Sequence, residues 1–132
     1  EKYMLVEGTT IFQTHLTQHD VYQGQSTGKY SIQIQLDGDT ASKLTKAGVV
    51  IKEYDGEPIR KFTSRYDVPV HISDTETWDK ELPSGTKVGL EYITKKHPTA
   101  GEVPYVKRVL VLEMGEGGAS GGDASFFSDE PQ

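Results

Sequence analysis

The chain of 132 residues has room for one folded domain with a single core, and its short apolar runs are far from the ~20 residues needed to span a bilayer. It contains no cysteine, which excludes disulfide frameworks, thiolate zinc sites, iron-sulfur ligation and cysteine nucleophiles. A net charge of -6 weighs against a nucleic-acid partner, until its distribution along the chain is considered.

Residues Tyr3 to Phe12 read as an extended segment. No basic start followed by an apolar stretch opens the chain, so a soluble, cytoplasmic protein without a signal peptide is expected, and Glu1 in place of Met fits a trimmed or cloned start. His15 and His19 have the i, i+4 spacing of a helical metal pair, but Thr14, Thr17, Gln18 and Asp20 around them form no helical stripe. They are taken as solvated loop histidines, and no metal or cofactor is expected. The segment Gly24 to Lys29 imitates a phosphate loop, yet its glycines are one residue too close, Tyr30 replaces the magnesium-binding hydroxyl, and a strand follows where a helix is required. An ordinary flexible loop is expected there.

From Lys29 to Leu36 the apolar residues Tyr30, Ile32, Ile34 and Leu36 alternate with Ser31, Gln33 and Gln35, the pattern of a strand with one face on a core. Asp37 to Gly48 reads as a short helix with Asp39 as N-cap, Ala41, Leu44 and Ala47 as a thin apolar stripe, and Gly48 as the stop. Next, Asp55-Gly56 supplies the positive φ angles of a tight hairpin turn between Val49 and Tyr66. A two-residue loop sets Tyr54 against Glu57, Lys52 against Ile59, Ile51 against Arg60, Val50 against Lys61 and Val49 against Phe62. Val49, Ile51 and Phe62 then share the core face, which Tyr66, Val68, Val70 and Ile72 continue. Val50, Lys52, Tyr54, Ile59 and Lys61 point outward, followed by Thr63 and Arg65. Pro69 restricts its segment to a sheet edge.

Trp78 stands among acids and reads as a packing plug. Val88, Leu90 and Tyr92 share one face of a strand, and Val106, Arg108, Leu110, Leu112 and Met114 one face of the last, with Val109 and Val111 making its other face apolar too. That last strand is expected to be central. Between these two, Lys95, Lys96 and His97 precede the loop Pro98 to Gly101, and Tyr105 and Lys107 return on one parity. Six or seven strands and one helix make a small, mainly β protein, and closure into a barrel would remove its open edges.

At Met114 the composition changes. All fourteen Lys and Arg and sixteen of the twenty acids lie in residues 1–114, which carry -2. Residues 115–132 hold the other four acids, Glu116, Asp123, Asp129 and Glu130, and no base. The expected organisation is a β domain over 1–114 and, over 115–132, a flexible glycine-rich linker with an acidic tail. Phe126 and Phe127 stand in that tail where a purely solubilising segment needs no rings, so they ask for a partner surface. On the body, spaced cations around rings suit a single strand of nucleic acid: cations follow phosphates and rings stack on unpaired bases. The residues expected to do so are Lys52, Tyr54, Lys61, Arg65, Lys95, Tyr105 and Lys107. None of the sequence signatures of common hydrolase or metalloprotease sites is present, and no enzymatic activity is expected.

The order Gly28-Lys29-Tyr30-Ser31, the Asp-Gly hairpin, Gly85-Thr-Lys-Val88, Val109-Leu-Val-Leu-Glu113 and a glycine linker with an acidic, Phe-containing tail resembles the single-stranded DNA-binding proteins of T7-like and related tailed bacteriophages. The resemblance runs from about Thr9 to the tail. It implies an OB-fold, sequence-tolerant binding of single strands in DNA replication, recombination and repair inside the infected host, and no catalysis. It also implies a tail, with Asp123, Phe126, Phe127, Asp129 and Glu130, that recruits replication and recombination proteins. Tails of this family often finish on an aromatic residue, whereas Phe127 is followed by Ser128 to Gln132. Self-association and the choice between RNA and DNA stay open at this point. The competing reading is a β-barrel protein-interaction or virion-associated module that binds no nucleic acid.

Overall fold

The computed structural model describes residues 3–116. Its strands are β1 (Met4–Thr10), β2 (Val21–Tyr22), β3 (Gln25–Ser26), β4 (Tyr30–Gln35), β5 (Lys52–Tyr54), β6 (Glu57–Ser64), β7 (Val70–His71), β8 (Lys87–His97) and β9 (Gly101–Glu113), with one helix, α1 (Gly38–Lys46), after β4. Seven strands form one sheet in the order β5-β6-β4-β1-β8-β9-β7, and β6 also pairs with β9. That last pairing, parallel and centred on Thr63 opposite Tyr105, closes β6, β4, β1, β8 and β9 into a ring. A five-stranded closed ring with one intervening helix is an OB-fold-like barrel, and it leaves no long edge exposed.

The alternation in β4 does what its pattern dictates. Ile32 and Ile34 are fully buried, with Leu36 beyond them, against Phe62, Val88, Leu90, Val106 and Val109. Ser31 is the exception on the polar side, buried because its Oγ donates to the Asp20 carboxylate at 3.2 Å. The N-cap lies two residues earlier than expected: Asp37, not Asp39, caps the helix. Asp37 is extended, so its carboxylate can accept from the Thr40 N–H at 2.7 Å, while Asp39 lies inside the first turn. Leu44 is the helix residue buried in the core.

The β5–β6 hairpin has the predicted register, Tyr54 opposite Glu57 and Lys52 opposite Ile59, around Asp55 and Gly56 at φ 54° and 80°. Its arms are shorter than expected, because β5 starts at Lys52 and the ladder does not reach Val49. The edge of β6 beyond it is taken by β9. Tyr66 leaves the core face altogether and is 74 % exposed, whereas Val68 and Val70 are buried as expected. The cause is local: Ser64 Oγ accepts from the Tyr66 N–H at 3.1 Å and donates to the Tyr66 carbonyl at 2.8 Å, turning the chain at the end of β6.

The parity of the last strand also breaks. Glu91 and Tyr92 of β8 face Arg108 and Val106, so Lys107 is an extra residue in a β-bulge. Val106 and Val109 are therefore both buried, while Leu112 is 53 % exposed. Gly24 to Lys29, expected as an open loop, includes half of a small β2–β3 hairpin with Gln23 and Gly24 both at positive φ. Trp78 packs on the core and donates from Nε1 to the Glu81 carbonyl at 3.2 Å, consistent with a plug.

The tip of the β8–β9 hairpin is fastened to the end of the helix by the Glu102 N–H, which donates to the Gly48 carbonyl at 3.0 Å. Gly101 has φ 74°, and a Cβ on it would stand 2.7 Å from that carbonyl oxygen. Gly101→Ala is expected to cost about 1–3 kcal/mol, from a left-handed backbone and a backbone clash together. Urea denaturation measures it, and an unchanged midpoint would disprove the contact. The expected tail, with Asp123, Phe126, Phe127, Asp129 and Glu130, lies outside the described residues.

Candidate nucleic-acid interface

Where β6 meets β9, the outer face of the barrel carries two adjoining hollows. The larger, about 490 Å³, is lined by Lys29, Gln33, Lys52, Ile59, Arg60, Lys61, Thr63, His97, Val103 and Tyr105 among others. The second, about 250 Å³, is lined by Ser64, Arg65, Tyr66, Lys95, Tyr105 and Lys107. Tyr105 belongs to both, so the surface is continuous. The topology explains the meeting: outward residues of β6 and β9 become neighbours only because the two strands pair in parallel.

Of the residues singled out by sequence, Lys52, Lys61 and Tyr105 come together in the first hollow, and Arg65, Lys95, Tyr105 and Lys107 in the second. Tyr54 lines neither; it stands half exposed at the hairpin tip, its ring edge-to-face with Phe12 at 4.7 Å between centroids. Ile59, on the outer face as expected, is nevertheless buried at the floor of the larger hollow. Three residues escaped sequence reading. Lys29 and Arg60 join the cations of the larger hollow, and Tyr66 offers the most exposed ring of the surface. The signal for Tyr66 was present in Ser64, a hydroxyl two residues upstream that can cap a turn.

The cations differ in their partners. Lys61 forms an ion pair with Asp20, whose carboxylate also accepts from the Val21 N–H at 2.8 Å and has His15 Nε2 at 3.4 Å. Burial pushes the Asp20 carboxyl up, but the hydrogen bond and charge of Lys61, with help from His15 and Val21, hold it below the usual carboxylate range. Thus His15 is not a solvated loop residue: it is mostly buried, bridges to Ser31 through its backbone and sets its ring beside the Asp20 carboxylate. Arg60 donates to the carbonyls of Lys61 and Val50, both at 3.0 Å, and ties the hairpin base. Lys29, Lys52, Arg65, Lys95 and Lys107 have no carboxylate partner among the described residues. These five cations, flanked by Tyr66 and Tyr105, can neutralise phosphates while the rings stack on bases. No group of three His, Asp or Glu among the described residues could hold a metal ion, and no helix there is long and apolar enough to cross a membrane.

No protein-family model matches the sequence, and no curated protein matches it either. Solved structures do match. The single-stranded DNA-binding protein from bacteriophage Enc34 in complex with ssDNA aligns with a TM-score of 0.64 at 13 % identity, over 86 % of this chain and 88 % of that one. Another structure of the Enc34 protein aligns with a TM-score of 0.60 at 15 % identity, covering 96 % of this chain and 90 % of that one. The T7 protein gp2.5, a single-stranded DNA-binding protein, aligns with a TM-score of 0.60 at 13 % identity, over 95 % of this chain and 99 % of that one. The family that the sequence resembles and the structures that the barrel matches are thus the same group of phage proteins, and what this chain shares with them is the fold, along nearly its whole length.

Proposed function

We propose that the chain is a single-stranded DNA-binding protein of phage type, acting without catalysis in the cytoplasm of an infected host to protect unwound DNA and keep it free of hairpins in replication, recombination and repair. The observation that carries this reading is the row of cations around Tyr66 and Tyr105, without carboxylate partners among the described residues, on the outer face of an OB-fold-like barrel. The likeness to an Enc34 protein solved with ssDNA supports it. Lys52, Arg65, Lys95 and Lys107, with Lys29, follow phosphates; Tyr105, Tyr66 and Tyr54 stack on bases, and Lys61 contributes while shared with Asp20. Titration with oligo-dT against duplex DNA of equal length tests the reading: preference for the single strand is expected, and binding to neither would favour the protein-interaction module instead.

Tyr66→Ala and Tyr105→Ala are each expected to weaken oligo-dT binding by about 1–3 kcal/mol, the cost of one lost stack. Trp78→Phe should change it little. A loss confined to Trp78 would move the binding surface to the opposite side of β7.

In this reading residues 1–114 are the binding domain, and 115–132 are a linker and a tail that competes with DNA for the basic face. The four acids of the tail occupy the cations when DNA is absent, and a short glycine-rich linker keeps their effective concentration high. DNA displaces them and leaves Phe126 and Phe127 to enter an apolar pocket, rimmed by basic residues, on a replication or recombination protein. Deleting 115–132 changes the net charge from -6 to -2 and should tighten DNA binding at low salt, an advantage that fades as salt screens it. Unchanged or weaker affinity at low salt would refute the competition.

A further inference from the structure

We infer that His15 and Asp20 are positioning residues for Lys61: Asp20 holds the Lys61 ammonium back from the strand, and a proton taken up by His15 releases it to a phosphate. This rests on the reading of the cation row as a single-stranded DNA site. Among the described residues, Lys61 is the one cation of the larger hollow that is paired with a carboxylate. The Lys61 side chain is 41 % exposed and that of Asp20 10 %. The lysine can therefore swing to a ligand, while the carboxylate stays where it is. Asp20 Oδ1 accepts from the Val21 N–H at 2.8 Å and Oδ2 from Ser31 Oγ at 3.2 Å, and the Asp20 N–H donates to the Lys29 carbonyl at 2.7 Å. A phosphate that drew Lys61 away would strand this carboxylate without a cation, and a mostly buried charge left alone is costly.

His15 is placed to remove that cost. Its Nε2 lies 3.4 Å from Asp20 Oδ1, whereas Lys61 takes Oδ2, so the two side chains approach opposite oxygens of one carboxylate. The ring is held there by the backbone: the His15 N–H donates to the Ser31 carbonyl at 2.8 Å, and the Ser31 N–H to the His15 carbonyl at 2.9 Å. The other titratable and charged groups nearby are engaged elsewhere. Glu81 is taken by Thr14, Leu16 and Thr17, the His19 ring packs edge-on against Tyr30, and Lys29 and Arg60 line the hollow without pairing with Asp20. Imidazole is the side chain whose charge changes around neutral pH. With His15 neutral, Asp20 needs Lys61; with His15 charged, Asp20 keeps a cation and Lys61 is free to meet a phosphate. The complex then holds one proton more than the free protein, drawn from solvent, so binding strengthens as pH falls.

The experiment measures oligo-dT affinity across a salt series at pH 8 and pH 6. The parent is the full chain carrying His97→Gln, which removes the other histidine that lines the hollow. Its slope of log affinity against log salt should be about -3.5 at pH 8 and about -4.2 at pH 6, a difference of one phosphate on a single strand. At ~0.1 M salt that difference amounts to about fivefold in affinity. Adding His15→Gln or Lys61→Gln should hold the pH 8 slope at both pH values, while Lys61→Arg keeps the response. An equal slope at pH 6 and pH 8 in the parent overturns the inference, and this comparison stands whether or not a variant folds. A pH response that survives His15→Gln or Lys61→Gln overturns it too. If the parent binds no oligo-dT at either pH, the reading of the cation row falls first and the role of His15 falls with it.

Discussion

Affinity for oligo-dT is expected to fall about a hundredfold between ~50 and ~200 mM salt, with little dependence on base sequence. Each phosphate neutralised on a single strand contributes roughly -0.7 to the slope of log affinity against log salt. Lys29, Lys52, Arg65, Lys95 and Lys107 have no carboxylate partner among the described residues, so five such contacts give a slope of about -3.5. Lys61 is expected to behave differently. Its charge is already balanced by Asp20, so a phosphate approaching it gains less and displaces fewer counterions. Lys52→Gln should make the slope shallower by about 0.7, whereas Lys61→Gln should leave it nearly unchanged. Lys61→Gln also strands the buried Asp20 carboxylate without its main cation, so its cost should appear in thermal stability. A flat dependence of affinity on salt would remove the electrostatic account altogether.

Glu81→Ala is expected to cost roughly 2–4 kcal/mol of folding stability, lowering the melting temperature by about 10 °C or more. One oxygen of this carboxylate accepts from the Leu16 N–H at 2.6 Å and Thr14 Oγ1 at 2.9 Å. The other accepts from the Thr17 N–H at 2.8 Å and Thr17 Oγ1 at 2.6 Å. Together they pin the segment that buries Leu16 in the core, and alanine would leave two backbone donors unpaired. Burial pushes the Glu81 carboxyl up, but the four donors outweigh it and hold the group below the ordinary glutamate value of 4.5. A folded-state value below the unfolded one means that protonation favours unfolding. The contribution is complete well above pH 4.5 and is lost as pH falls from there through the lower folded value. Denaturation midpoints across acidic pH should therefore fall less steeply in Glu81→Gln than in the parent chain. Equal steepness would mean that the carboxylate is not the staple.

Local pattern alone determined a good deal. The two-residue alternation of Tyr30 to Leu36 placed β4 and its buried face, and Asp55-Gly56 determined the β5–β6 register because only a few turn geometries accept two successive positive φ angles. Lys52, Lys61, Arg65, Lys95, Tyr105 and Lys107 were legible as outward residues on two hairpins, since parity next to a tight turn is reliable over a few residues. Tertiary structure decided the rest. That the two hairpins form one surface depends on the parallel pairing of Thr63 with Tyr105, which no local period encodes. The same pairing takes the edge that β5 would otherwise have occupied. The bulge at Lys107 reversed the parity of the last strand, and the Ser64 turn moved Tyr66 from the expected core to the surface. Both are single-residue events that cancel a periodic argument. The partnering of Lys61 by Asp20, and of Thr14 and Thr17 by Glu81, joins segments far apart in the chain. A charged side chain shows in sequence what it can donate or accept, but its partner is chosen by which strands close the barrel and which loops they bring together.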